Sequence, residues 1–542
     1  MNKKLLVAVS VLGIVLPGFS SCSPTSTDAS DKANLHIRTL NKGIGTTWLD
    51  NAAKMFEELY ADSEEFQEGR KGVKVTVFGD TSLDGDYLNN NVLNDDIYFT
   101  EQIDYLGLIN KGKLLDITDA MTADLSLYGD APGKTILSKI DKTMENYLNV
   151  SNKYYGVPFY DSFYGLVYDV TLWKEQNLYL SNDPDDRFVP YGDERMTLGS
   201  DNIAGTPDDG LPATYEEFGI LMSGLQERGI KPFITAQNAK EYFADYLFNV
   251  FADYEGVDNV VMNLTLSGTA TDLINSVDED GNVSMMESTA ITEKNGYLLT
   301  RQAGRYSALD FFKNYLINDS SNYIFADTHT SAQRQFVQKN KSGGAPDVAM
   351  IVEGSWFENE ASAAIAKETS KTGKRRDFAI MPIPFANEQK AEECNHKHTY
   401  LSLSQSFGVV SSNCSNKKLA KEFMKFVHSD KMLSKFTADT SITRPLNYEV
   451  SAEDQSKLSN YAKSLIYLKQ NSNLVYPYSS LPLEVNNPSV FKHYYFIWKS
   501  TVDSTPYNHP WDYFRLGSNP TIKKYFDGQL ERMRHEWPIK DN

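Results

Sequence analysis

The feature that most constrains this chain is an alternation of two hydrophobic periods. "NLHIRTL" and "GVKVTVFG" alternate apolar and polar residues as half-buried strands do. Between them Trp48, Ala52, Met55, Phe56 and Leu59 recur at helical spacing behind the caps Thr46 and Thr47. A short run, "DDIYFT", then precedes a helix, "EQIDYLGLINKG", closed by Gly112 and followed by "LLDIT". Strands alternating with helices predict an α/β fold with mainly parallel sheets, whose connecting loops gather at the carboxyl ends of the strands, where ligands sit.

Length decides how many such units to expect. A chain of 542 residues is long for one hydrophobic core, and 41% apolar residues suffice for two. The net charge of −19 argues against a nucleic-acid surface, which needs a basic footprint to displace counterions.

The N-terminus sets the compartment. "MNKK" is positively charged, "LLVAVSVLGIVLPGF" is apolar but short for a membrane span, and "SSC" places small residues before Cys22. Residues 1–21 therefore read as a signal peptide. The segment resembles the lipobox of bacterial lipoproteins, with Phe19 where Leu is usual, which implies lipidation at Cys22 and an anchor on the outer face of the cell membrane. Residues 22–34, beginning "CSPTSTDASDKAN", are polar and without periodicity, as a flexible tether is. Only Cys394 and Cys414 follow, too few for a disulfide scaffold, and sequence leaves open whether they bridge.

Further on, "KYYGVPFYDSFYGLVYDVTLW" holds two extended stretches broken at Gly165. A long acidic loop leads into "ATYEEFGILMSGLQERG", a helix with Thr214 as cap, Glu217 as its capping-box partner and Gly229 past its end. An aromatic helix, "EYFADYLFNVFADYEG", follows, and later "DVAMIVEGSWF", "DFAIMPIPF" and "SFGVVS" read as strands before the amphipathic helix "NKKLAKEFMKFVHSD". The order of "GVPFYDSFYGLVYD", "AMIVEGSWF", "FAIMPIP" and "FGVVSSNCSNKKLAKEFMKFV" resembles the extracellular solute-binding proteins of carbohydrate ABC importers, the maltose-binding-protein group.

That resemblance implies a two-lobed, periplasmic-binding-protein-like fold of type II, each lobe a sheet flanked by helices, joined by hinge crossovers. Residues 35–160 with 400–440 would form lobe 1, and 161–399 with 441–542 lobe 2. It implies no catalysis: a monomeric lipoprotein would capture a carbohydrate, expected to be an oligosaccharide, and pass it to permease subunits driven by a cytoplasmic ATPase. The alternatives are a secreted glycoside hydrolase, which needs only two carboxylates about a bond, and a sugar sensor or adhesin without a transporter. No G-x-S-x-G, H-E-x-x-H, Walker or C-x-x-C motif supports an enzyme.

Sugars present hydroxyls and apolar ring faces, so their cleft needs carboxylates, amides and flat aromatic rings. The loop after the first strand offers Asn41, Lys42 and Trp48; the loop after "DDIYF" offers Thr100, Glu101 and Gln102, where the family often places contacts. The crossover adds Tyr160, Asp161, Ser162 and Tyr164. The second lobe adds Gln237, Tyr242 and Trp356, with Arg444 and Trp511 as further cleft candidates. The resemblance maps Trp356 onto a tryptophan that stacks on sugar rings; the competing reading is a core tryptophan covering a sheet end.

The loop "GSDNIAGTPDDGLP" crowds carboxylates around glycines, and Arg228 is the sole basic residue between Leu198 and Lys231. Asp201, Asp208 and Asp209, with Asn202 and Thr206, have the hard oxygens a structural Ca2+ takes, although no Glu stands at the twelfth position of an EF-hand. The competing reading is a set of Asx turns that needs no metal. "HKH" at 396–398 reads as a solvated loop rather than a zinc site.

Overall fold

The computed structural model describes residue 29 and residues 31–236, 240–338, 347–402, 406–477, 483, 485, 498–517 and 519–539. The signal peptide, Cys22 and most of the tether lie outside the described residues, as does Gln237.

The first sheet begins with β1 (Ala33–Leu40), β2 (Val73–Asp80), β3 (Ile97–Thr100) and β4 (Gly156–Pro158). The second holds β5 (Tyr164–Asp169), β6 (Lys231–Ala236), β7 (Tyr323–Ala326), β8 (Val348–Gly354) and β9 (Phe378–Met381). The chain then returns to the first sheet as β10 (Phe407–Val410). The orders are β2-β1-β3-β10-β4 and β7-β6-β8-β5-β9. In each sheet one strand runs against its neighbours: β10 pairs antiparallel with β3 and β4, and β5 with β8 and β9, while β1 with β2 and β3, and β6 with β7 and β8, are parallel. Strand β1 begins at Ala33, two residues before the expected Leu35.

Each sheet has its own core because helices cover its faces. In lobe 1, α1 (Thr47–Leu59) buries Trp48, Leu49, Ala52, Ala53 and Phe56, while Leu59 stays 51% exposed at its end. In lobe 2, α2 (Tyr215–Glu227) buries Phe218, Leu221, Met222 and Leu225. Its cap forms as the sequence suggests, Thr214 Oγ1 accepting from Glu217 N at 3.3 Å, but the Glu217 carboxylate turns back to Ala213 N, one residue before the cap. Helix α3 (Lys240–Thr265) runs past the expected end and breaks at Gly256, whose φ of 74° a glycine takes without steric cost. Four more helices complete the parts used below: α4 (His329–Val337), α5 (Phe357–Glu360), α6 (Lys417–Val427) and α7 (Asp430–Thr440). The last two close the lobe 1 core around Phe423, Phe426 and Phe436.

Among the described residues, three passages between the lobes bond to one another. Phe159 N donates to Ser406 O at 3.0 Å, Ser162 N to Ser402 Oγ at 3.0 Å, and Asp161 N to Thr443 O at 2.8 Å. This bundle is the hinge. Helix α8 (Asn460–Asn471) braces it through Lys469, which pairs with the fully buried Asp161 carboxylate at 2.9 Å.

Candidate functional site

Between the lobes lies a cavity of about 550 Å³. Its walls come from the carboxyl ends of strands, as the alternation of elements requires: Leu40, Lys42, Gly43 and Ile44 after β1, Glu101 and Gln102 after β3, Tyr160 and Ser162 after β4, and Trp356 after β8. Tyr164 enters from the start of β5, the strand that runs the other way, and Tyr242 and Asp245 from α3.

Three rings form one corner. Tyr164 meets Trp356 edge-on at 5.2 Å and Tyr242 at 5.5 Å between centroids, and Tyr242 lies 6.4 Å from Trp356. Gly354 makes this possible, since a Cβ there would stand 2.4 Å from the Trp356 ring. The opposite wall also closes on this residue: a Cβ on Gly43 would meet Trp356 Cβ at 2.9 Å, and Asn359 Nδ2 donates to Gly43 O at 2.6 Å across the cleft. Trp356 is half-buried, one part packed on lobe 1 and the rest lining the cavity.

The polar part is mostly acidic. Glu101 accepts from the Tyr160 hydroxyl at 2.5 Å. Burial pushes the Asp245 carboxyl up to about 7, against a hydrogen bond from Tyr164. Glu360 lines the same wall and is held below the usual carboxylate range. Burial works against its charge, but His329 and Gln333 outweigh it. Lys42 adds a cation to the lining.

Trp356, Tyr160, Ser162, Tyr164, Glu101, Gln102 and Tyr242 thus come together. Five other expectations need correction. Trp48 is 3% exposed and nested among Phe99, Phe159 and Phe436, because its place in the first turn of α1 turns it inward. Arg444 is fully buried in the same nest, its guanidinium 4.4 Å from the Phe436 ring and 5.0 Å from Trp48; burial lowers its pKa to about 9. Trp511, in α9 (Pro510–Leu516), packs on Phe243 at 4.8 Å behind the second sheet. Asp161 is taken up by Lys469, the Thr443 hydroxyl at 2.7 Å and the Tyr476 hydroxyl at 3.3 Å, so it serves the hinge. Asn41 is exposed beside Gly79, outside the lining. The sequence reading passed over Asp245 and Glu360, although helical spacing points to both: Asp245 is three residues after Tyr242 and Glu360 four after Trp356.

The acidic loop stands apart, on lobe 2. Asp208 is buried and accepts from Ser200 N and Oγ at 2.8 and 2.9 Å and from Asp201 N at 3.2 Å, while Asp209 accepts from Gly205 N at 2.8 Å. The Thr206 hydroxyl lies 2.8 Å from an Asp208 oxygen and 3.3 Å from one of Asp201 and one of Asp209. Asn202 carries a φ of 57°, which serves the turn. "HKH" is not a solvated loop: His398 is buried, bonding Asp253 at 2.9 Å and Ser200 Oγ at 2.8 Å, and so pins the acidic loop to the core. Cys394 and Cys414 are both free thiols.

Among known families, the model for bacterial extracellular solute-binding proteins matches residues 50–432. This chain belongs to that family. Membership makes it an exported binding protein, and among the described residues no helix is long and apolar enough to cross a membrane. Solved structures share the fold of this solute-binding protein at low identity. The GacH receptor of Streptomyces glaucescens, described unliganded and with acarbose, is 14% identical with a TM-score of 0.52, covering 94% of this chain and 100% of its own. RafE in complex with raffinose is 15% identical with a TM-score of 0.54 and the same coverage. The apo form of RafE from Streptococcus pneumoniae is 14% identical with a TM-score of 0.54, covering 95% and 99%. No curated protein matches the sequence.

Proposed function

We propose that this solute-binding protein captures a carbohydrate, an oligosaccharide of a few units, in the cleft and delivers it to the permease subunits of an ABC importer. The observation that carries the reading is the corner of Tyr164, Tyr242 and Trp356 facing Glu101, Gln102 and Lys42 in one hinge-side cavity: rings for sugar faces, polar groups for hydroxyls. Sugar-bound relatives of the same fold, RafE with raffinose and GacH with acarbose, support it. Cys22 as lipid anchor, with the ATPase on the far side of the membrane, completes the proposal.

Calorimetric titration of the mature protein with a panel of neutral oligosaccharides tests it, with saturable 1:1 binding of at least one member expected. No binding across the panel would refute the sugar; shortened products on prolonged incubation would instead favour a hydrolase. Absence of permease and ATPase genes beside its own would favour a sensor.

The acidic loop is assigned a structural Ca2+, held by Asp201, Asp208, Asp209 and the Thr206 hydroxyl. Support comes from that hydroxyl, which has one proton for three carboxylate oxygens within 3.3 Å.

A further inference from the structure

Beside the aromatic corner, where Tyr242 meets His329 edge-on at 4.7 Å between ring centroids and Glu360 reaches the cavity wall, four polar side chains converge from three elements. Helix α4 supplies His329 and Gln333, one turn apart on the same face; the end of β8 supplies Glu353; α5 supplies Glu360. Among the described residues, His329, Glu353 and Glu360 are the one set of three or more His, Cys, Asp or Glu side chains whose ligand atoms all lie within 4.8 Å of each other. His329 Nε2 stands 3.2 Å from Glu353 Oε1 and 3.3 Å from Glu360 Oε2. The Gln333 amide nitrogen lies 3.0 Å from His329 Nε2, 3.1 Å from Glu353 Oε1 and 2.6 Å from Glu360 Oε2. Zinc bonds to nitrogen and oxygen ligands of about 2.0–2.1 Å imply tetrahedral edges of about 3.3 Å, which the two His329 to carboxylate separations match, whereas the Gln333 edges of 3.0, 3.1 and 2.6 Å would have to open to admit the ion.

Hydrogen bonding leaves this set in conflict. A bare Nε2 on His329 can accept from the Gln333 amide and from the Tyr242 hydroxyl at 3.4 Å, but it still faces two carboxylate oxygens, lone pair to lone pair. A protonated Nε2 faces the Gln333 amide, hydrogen to hydrogen. Turning that amide over by half a turn removes the second clash but brings its oxygen onto both carboxylates. Meanwhile Glu353 is fully buried and Gln333 is 2% exposed, so water does not relieve either. A proton held by Glu353 would relieve part of the conflict; a divalent cation at the centre relieves all of it, taking one nitrogen and three oxygens with the amide rotated.

We propose that His329, Gln333, Glu353 and Glu360 form a zinc site that ties α4 to the β8–α5 corner bearing Trp356. Mixed nitrogen and oxygen donors in a four-coordinate set suit Zn2+ over Ca2+ or Mg2+, which take six or more oxygens. The inference does not rest on the sugar reading, since Trp356 would be braced whatever the cleft holds.

The test is calorimetric titration of Zn2+ into chelator-treated mature protein, with no sugar present. Expected are one ion per chain at micromolar Kd or tighter, a Tm raised by several degrees, and, with Co2+ in its place, the intense visible bands of tetrahedral coordination. His329→Ala and Glu360→Gln should each weaken binding at least about tenfold, with far-ultraviolet dichroism showing that both variants fold. His396→Ala, at the other histidine cluster, should bind zinc as the wild type does. No stoichiometric zinc in the wild type, or zinc kept by folded His329→Ala and Glu360→Gln, would overturn the proposal and leave a proton-bridged network only.

Discussion

Trp48 and Trp356 each follow a strand of their lobe, by eight residues and by two, yet one is core and the other cleft. The difference is local. Trp48 lies on the inward face of a thirteen-residue helix, nested in three phenylalanine rings with Arg444, whereas Trp356 precedes a four-residue helix and folds over Gly354 at the open end of β8. Trp356→Ala should therefore weaken sugar binding roughly 10–100-fold with little change in unfolding free energy. Trp48→Ala should cost about 3–5 kcal/mol of stability. Titration calorimetry and urea unfolding of the two variants check this pair. Sequence periodicity supplied the loops and the family resemblance picked residues on them, so eight of the cleft side chains, Lys42 included, were readable. It could not say which member of a loop points inward, because that depends on the helix register and on glycines far away in the chain. Asp245 gives a pH prediction. Its folded pKa of about 7 lies above that of an unfolded aspartate, so the cost of ionising it in the protein grows as pH rises from about 4 through 7. Stability should fall over that window by on the order of a few kcal/mol, and Asp245→Asn should flatten the dependence of Tm on pH.

At the scale of elements, the acidic loop and the hinge both set buried carboxylates against few cations. In the loop, Asp208 is raised above its usual range by burial and by Asp201. Millimolar Ca2+ should raise Tm by several degrees and EDTA should reverse it; a flat response would mean that backbone amides and Thr206 suffice. In the hinge, Lys469→Met should cost about 3–5 kcal/mol, because it strands the Asp161 carboxylate, and adding Asp161→Asn should restore part of that loss. Denaturant unfolding of the single and double variants measures both. The cap of α2 was readable from Thr214, since its bond to Glu217 N is local, although the Glu217 carboxylate takes the amide of Ala213 in place of the cap's own. The hinge trio of Asp161, Thr443 and Lys469 was not, as its members are remote in sequence and their spacing carries no signal.

For the whole molecule, the two cores and the cleft between them were readable from the alternation of periods and the order of motifs, whereas the antiparallel strand in each sheet was not. Nothing in "FGVV" distinguishes a strand that runs against its neighbours from one that runs with them. That strand has a consequence for biogenesis. β10 is inserted between β3 and β4, so the first sheet stays split until the chain has emerged beyond Val410. A polypeptide threading outward through a translocation pore would thus have most of its length across before its leading half could lock, and slow closure of so long a loop would keep it pliable during passage.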